Sequence, residues 1–289
     1  MRILIIGSNG QLGGDLAELI RNTTSHHLTA LNRVGIDVTD PQSCRLALET
    51  YLPDVVINTA AFHKVDVVEK APGEAFAVNA IGPWNLAQLC CELNMKLMTI
   101  STDYVFGGDL LRRQPYTEDD LPAPVNVYGY TKLAGEHLVK SAWNQHYIVR
   151  TSGLYGPRGA SGKGGNFVET MLRLAQGGGE IKVVDDQRLT PTYTMALARE
   201  IVLLIETGGF GLYHMSSEGH CSWHEFAAKI FELTDLHPRL IPVTSAEFPT
   251  VAKRPTYSVL AKQALASAGL PGMLPWQDAL ADYLRRRGL

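Results

Sequence analysis

The chain has 289 residues, 45% of them hydrophobic and 19% charged, with a formal net charge of −3 at pH 7. That is an ordinary globular composition, and the length suffices to bury a core without disulfide or metal staples. The near-neutral balance provides no dense basic face, so nucleic acid and anionic membrane are poor partners, and no run reaches the ~18 apolar residues of a membrane span.

Short apolar runs alternate with helical patterns through the first half. "RILIIG" (2–7) reads as a strand entering a glycine turn, and residues 10–22 as a helix. The opening apolar run is too short for a signal-peptide core. "LTALN" (28–32) is a second strand, and Asp40-Pro41 looks like an N-cap and first helical residue of a helix ending near 51. "DVVINTAA" (54–61) is a third strand, followed by one long helix over 75–94 and a fourth strand, "KLMTIST" (96–102). A helix carrying Tyr128 and Lys132 runs to about His146, and "YIVRTS" (147–152) is the fifth strand. Near-continuous Val/Ile/Leu strands separated by helices predict an α/β fold: a Rossmann-like, doubly wound parallel sheet over residues 1–152.

After residue 152 the regularity breaks. "GPRGASGKGG" (156–165) is rich in glycine, 166–177 and 193–206 read as helices, and "SWHE" (222–225) fits a capping box. Residues 153–289 are expected to form mainly a smaller substrate-binding lobe, with some segments returning to the sheet. Cys44, Cys90, Cys91 and Cys221 form no CxxC pair, which reads as reduced thiols in a cytoplasmic protein. "HCSWH" (220–224) suggests a metal site only superficially: Ser222 as N-cap places His220 ahead of the helix that carries His224. No metal is expected.

"GSNGQLGG" (7–14) places Gly7, Gly10 and Gly13 directly after the first strand. Glycines there permit a tight turn and close approach of backbone to a pyrophosphate, which the helix N-terminus attracts. The second strand ends in Asn32-Arg33 with no acid before Asp37. A basic residue at that position accommodates a 2′-phosphate, so NADPH is preferred, with NADH the alternative.

In "NVYGYTK" (126–132), Tyr128 stands four residues before Lys132 and Tyr130 only two. Side chains at i and i+4 share a helix face, so Tyr128 can line a site with Lys132 while Tyr130 points elsewhere. Hydride transfer to a ketone needs a proton donor at the oxygen, and a tyrosine beside a cation is suited to the task. Ser101 and Thr102 supply hydroxyls at the end of the fourth strand, where ligands bind in such sheets.

With "STDYVF" and "YGYTKLAGE" in place, the chain resembles the extended short-chain dehydrogenase/reductases, and among them the dTDP-4-dehydrorhamnose reductases. "DVVINTAAFHKVDVVE", "RTSGLYG", "GGNFVETML" and "AKRPTYSVL" extend the resemblance over nearly the whole chain. It implies reduction of the 4-keto group of a nucleotide-linked 6-deoxyhexose by a monomer or homodimer. Tyr128 would donate the proton, Thr102 would hydrogen-bond the same oxygen, and Lys132 would hold the nicotinamide ribose and favour ionised Tyr128. Gly10, Gln11 and Leu12 would touch the phosphates of the cofactor. Asn32, Arg33, Asp37 and Val38 would surround its adenosine, and Ala61, Phe62, His63 and Asn79 its floor. Asp103, Val105, Asn166 and Arg254 would face the sugar nucleotide.

One position departs from the pattern. Gly153 stands where relatives place a tryptophan after "RTS", and loss of an indole removes a large apolar contact. The longer loop, through Lys163, is the expected replacement, and the departure bears on which nucleotide, dTDP, UDP or GDP, the sugar carries. The rival readings are weaker. Thr102-Asp103-Tyr104 lacks the second carboxylate of a dehydratase, and an epimerase that retains NAD fits Asn32-Arg33 less well. A non-catalytic NADP-binding subunit, like the regulatory subunit of methionine adenosyltransferase, would not need Thr102, Tyr128 and Lys132 together.

Overall fold

Strand β1 (Arg2–Ile6) is buried from its second residue onward, as a strand covered on both faces must be. Helix α1 (Gln11–Thr23), β2 (His27–Leu31), α2 (Pro41–Tyr51) and β3 (Val55–Asn58) follow in alternation. The side chain of Asp40 caps α2 by accepting from the Gln42 N–H, and Pro41 takes the first turn. The computed structural model describes residues 1–158, 165–207 and 209–289, so the expected reach of Lys163 lies outside the described residues.

The segment expected as one long helix is broken. Helices α3 (Val65–Val68) and α4 (Pro72–Phe76) precede a π-helical turn, Ala77–Ile81, which feeds α5 (Gly82–Glu92). Such turns widen a helix locally and recur at functional sites. Strand β4 (Lys96–Thr102) then ends in a 3₁₀ turn at Asp103–Val105, and α6 (Val127–Ala142) leads to β5 (His146–Thr151). Helix α6 stops short of the expected His146 because Trp143 is extended, with its indole donating to the Met95 carbonyl.

The second half runs β6 (Leu154–Tyr155), α7 (Phe167–Gln176), β7 (Ile181–Val184), β8 (Arg188–Leu189), β9 (Thr192–Tyr193), α8 (Thr194–Thr207) and β10 (Gly211–His214). It closes with β11 (Cys221–Ser222), α9 (Trp223–Leu233), β12 (Leu240–Val243), α10 (Gln263–Ser267) and α11 (Trp276–Arg286). The capping box of α9 is present in full: Ser222 accepts from the Glu225 N–H, and Glu225 accepts from the Ser222 N–H.

Six parallel strands form the main sheet in the order β10-β5-β4-β3-β1-β2. The chain leaves β1 toward β2 and returns to β3 on the other side. That reversal opens a crevice at the carboxyl ends of the strands, the usual ligand position. Strand β10 returns from the second half to the sheet edge beside β5, and α8 packs on α1. Separate apolar cores include Ile3, Ile5, Ile57 and Val149 in one cluster and Leu4, Ile6, Val56 and Ile148 in another. Adjacent strand residues point to opposite faces, so both faces of the sheet are buried. A third cluster, Val105, Phe106, Tyr116, Tyr257, Val259 and Leu260, fastens the C-terminal segment to the end of β4. Among the described residues no helix is long and apolar enough to cross a membrane.

Candidate active site

The glycine turn is built for close approach. Gly7 has φ +86°, and a Cβ on Gly13 would lie 2.4 Å from the Gly7 carbonyl oxygen. Helix α1 begins at Gly10 with no side chain capping it, so its first N–H groups face the crevice unclaimed by a protein side chain. Leu12 is buried, and the Oε1 of Gln11 is buried with no hydrogen-bond partner among the described residues. The backbone N–H groups at the start of α1, with the helix dipole, fit a dinucleotide phosphate.

At the end of β2 the Asn32 side chain is turned onto its own loop, accepting from the N–H groups of Val34 and Gly35. Arg33 is exposed there. Asp37 accepts from both the N–H and the hydroxyl of Thr39, which hold its carboxyl below the usual range. Val38 was expected to surround the adenosine. Its side chain is buried and packed so closely on α5 that a Cβ on Gly82 would lie 2.8 Å from it.

Asn79, in the π turn, organises the floor. Its Oδ1 accepts from the Phe62 N–H at 2.8 Å, and its Nδ2 donates to the Phe62 carbonyl and to Thr131 Oγ1, each at 3.0 Å. The side chain of His63 approaches the Ala61 carbonyl at 3.4 Å. Asn79 is buried, and all of these bonds go to protein, so it shapes the Ala61–Phe62–His63 wall and ties it to α6.

Helix α6 carries the proposed chemistry. Asn126 caps it by accepting from the Gly129 N–H at 2.8 Å, and Thr131 Oγ1 donates to the Tyr128 carbonyl at 2.8 Å. A Cβ on Gly129 would lie 2.2 Å from the Tyr104 carbonyl oxygen, so this glycine lets the helix lie directly against the turn after β4. Tyr128 thereby faces Thr102, and its ring stands edge-on to Tyr104 at 6.0 Å. Lys132 is buried one turn along, while Tyr130 is 53% exposed.

Charge at this centre differs from the simple expectation. Burial pushes the Tyr128 phenol well up, the Asp103 carboxylate adds to that, and the Thr102 hydroxyl opposes it. Lys132 was expected to favour ionised Tyr128, but the net shift runs the other way. Burial lowers Lys132 itself to about 8, with Glu136 opposing. Tyr128 is therefore protonated at neutral pH, the form an acid must have before it donates.

Beneath Lys132 lies a buried network. Glu136 accepts from the Ser101 hydroxyl at 2.5 Å and from Arg150 at 2.6 Å and 2.9 Å. Arg150 also approaches His214 Nε2 at 3.3 Å, and the other ring nitrogen of His214 meets the carbonyls of Tyr116 and Ala261. Spacing alone marks Glu136, four residues after Lys132. Arg150 and His214 carry no such signal, because only the β5–β10 pairing brings them together.

Three residues expected to face the sugar nucleotide have side chains engaged within the protein. Asp103 is 3% exposed, accepting from Thr102, Ser152 and Ser258 at 3.1, 2.8 and 2.6 Å. Burial raises this carboxyl to about 6 against those three donors. Thr102 Oγ1 also accepts from the Tyr104 N–H at 3.1 Å, and its hydroxyl is free to turn about the Cβ–Oγ1 bond. Val105 is fully buried in the third core cluster. Asn166 is the N-cap of α7: its Oδ1 accepts from the Glu169 N–H, and its Nδ2 donates to the Gly156 carbonyl. Gly153 has φ +55°, and a Cβ there would lie 2.9 Å from the Thr190 carbonyl oxygen, so glycine is a backbone requirement. Arg254 lies beside Tyr104 and is paired with Asp66.

The family described as RmlD substrate binding domain matches residues 1–288. The chain is 42% identical to a dTDP-4-dehydrorhamnose reductase of Mycolicibacterium smegmatis, covering 97% of this chain and 84% of that one. It is 38% identical to the spore coat polysaccharide biosynthesis protein SpsK of Bacillus subtilis, covering 99% and 98%. The crystal structure of dTDP-4-dehydrorhamnose reductase from Bacillus anthracis in complex with NADP superposes with a TM-score of 0.93 at 40% identity, covering 99% of each chain.

Proposed function

The chain belongs to the RmlD substrate binding domain family, and on that footing we propose that it is an NADPH-dependent reductase of a nucleotide-linked 4-keto-6-deoxyhexose. The reaction assigned is dTDP-4-dehydro-L-rhamnose to dTDP-L-rhamnose. The observation that carries this reading is Tyr128 facing Thr102, one helical turn from buried Lys132, at the carboxyl end of the sheet.

The uncapped start of α1 and the close-packed glycines suit the pyrophosphate of NADPH, and exposed Arg33 suits its 2′-phosphate. When bound, NADPH supplies the hydride. Tyr128, held neutral by burial, gives its proton to the C4 oxygen as negative charge develops there. Lys132 then stabilises the resulting tyrosinate and orients the ribose. Thr102, beside Tyr128, hydrogen-bonds the same C4 oxygen through its hydroxyl. Four unpaired cysteines support a reducing compartment, the cytoplasm, with a monomer or homodimer as the working form.

The test is a turnover panel of 4-keto-6-deoxy sugars on dTDP, UDP and GDP, run with NADPH and with NADH. The expected result is fastest oxidation of NADPH with the dTDP sugar. Binding of NADPH without turnover on any of the sugars would overturn the enzyme reading.

A further inference from the structure

Arg254 comes from the C-terminal segment, and its position is set by a residue of the other half of the molecule. Asp66, on α3, accepts from Arg254 Nη2 through Oδ2 at 2.8 Å. Its Oδ1 accepts from the Ala252 N–H at 3.0 Å. One carboxylate thus grips both the guanidinium and the backbone that carries it. Between these two, the Lys253 carbonyl accepts from Asn126 Nδ2 at 2.8 Å. Asn126 is the N-cap of α6, the helix of Tyr128 and Lys132. Glu69, one turn after Asp66, accepts from the Val127 N–H at 2.8 Å.

Residues 252–254 are therefore pinned to the start of the helix that carries the proton donor. Arg254 lies against Tyr104, whose ring stands edge-on to that of Tyr128. The Asp66–Arg254 pair is partly exposed, at 42% and 25%. A pair so exposed adds little to fold stability. What it does is order a long, flexible side chain before any ligand arrives, which strengthens binding without adding a contact. A guanidinium held with donors to spare matches the oxygens of a diphosphate.

We infer that Asp66 is a positioning residue for the nucleoside diphosphate of the substrate, acting through Arg254 by holding its guanidinium in place before the anion binds. The inference rests on the reductase reading above, and it applies to the nucleotide half of the substrate alone.

The experiment compares Asp66→Asn, Asp66→Glu, Arg254→Ala and the Asp66→Asn/Arg254→Ala double variant. Each is measured for KM of the nucleotide sugar, KM of NADPH and kcat, and for Kd of dTDP by calorimetry. Asp66→Asn is expected to raise the sugar-nucleotide KM and the dTDP Kd about tenfold, the scale of one lost charge-assisted hydrogen bond. The NADPH KM and kcat should stay within about threefold, since the groups beside the reacting atoms are untouched. Asp66→Glu should recover part of the loss, and the double variant should be no worse than Arg254→Ala. Additive losses, an unchanged dTDP Kd in Asp66→Asn, or a parallel fall in NADPH affinity would each overturn the assignment. The dTDP measurement is read without turnover, so failure of the reductase reading shows separately, as an intact dTDP response with no NADPH oxidation.

Discussion

Glu136 and Arg150 form an ion pair at 2.6 Å in which each side chain is only 2% exposed. It lies one turn beyond Lys132 and links α6 to β5. Breaking it from one side leaves a buried charge unpaired, at a cost of ~3–5 kcal/mol. Glu136→Gln keeps the shape and removes the charge. Urea denaturation should show a loss of that order, and Glu136→Gln/Arg150→Met should recover part of it.

The same substitution shifts the pH dependence. Lys132 is held at about 8 by burial, with the Glu136 carboxylate opposing that depression. Activity that needs the Lys132 cation is full below its pKa and lost as pH rises through it. Without the carboxylate the pKa falls further, so the alkaline limb of kcat in Glu136→Gln should move to lower pH. A limb unmoved in a folded variant would separate Glu136 from Lys132.

Tyr128→Phe should retain NADPH binding and lose ~10²–10⁴ in kcat, the share of a general acid. Tyr130→Phe should leave kcat near the parent value, because that ring is exposed, turned away from Thr102 and Lys132. Single-turnover kinetics on the two variants checks both.

Asn79→Ala removes the partner of the Phe62 N–H and carbonyl and of Thr131 at once. Each buried group left unsatisfied costs ~1–3 kcal/mol. The expected result is a lower Tm and a weaker NADPH Kd, since the floor and α6 lose their tie.

Gly153→Ala meets a left-handed backbone and a carbonyl 2.9 Å from the new Cβ. Strain of this kind costs ~1–3 kcal/mol. Thermal unfolding should register it. Tryptophan at this position should cost at least as much, so a Gly153→Trp kinetic test needs a stability control.

Periodicity and local chemistry were sufficient for much of this protein. Alternating Val/Ile/Leu runs imply a buried parallel sheet, the glycines after β1 imply a dinucleotide turn, and i, i+4 spacing singles out Tyr128 over Tyr130. These signals are local, carried by neighbours in the chain, so one sequence suffices. The π turn at Asn79 escaped detection because its residues favour a helix in any case. The folded environment determined the rest. Asp103, Val105, Val38 and Asn166 lie in or near ligand-binding motifs, yet their side chains are taken up by serines, a core cluster, α5 and a helix cap. The Asp66 grip on Arg254 joins residues 188 positions apart. Such pairings depend on which surfaces burial brings together, and that is a property of the packed chain as a whole.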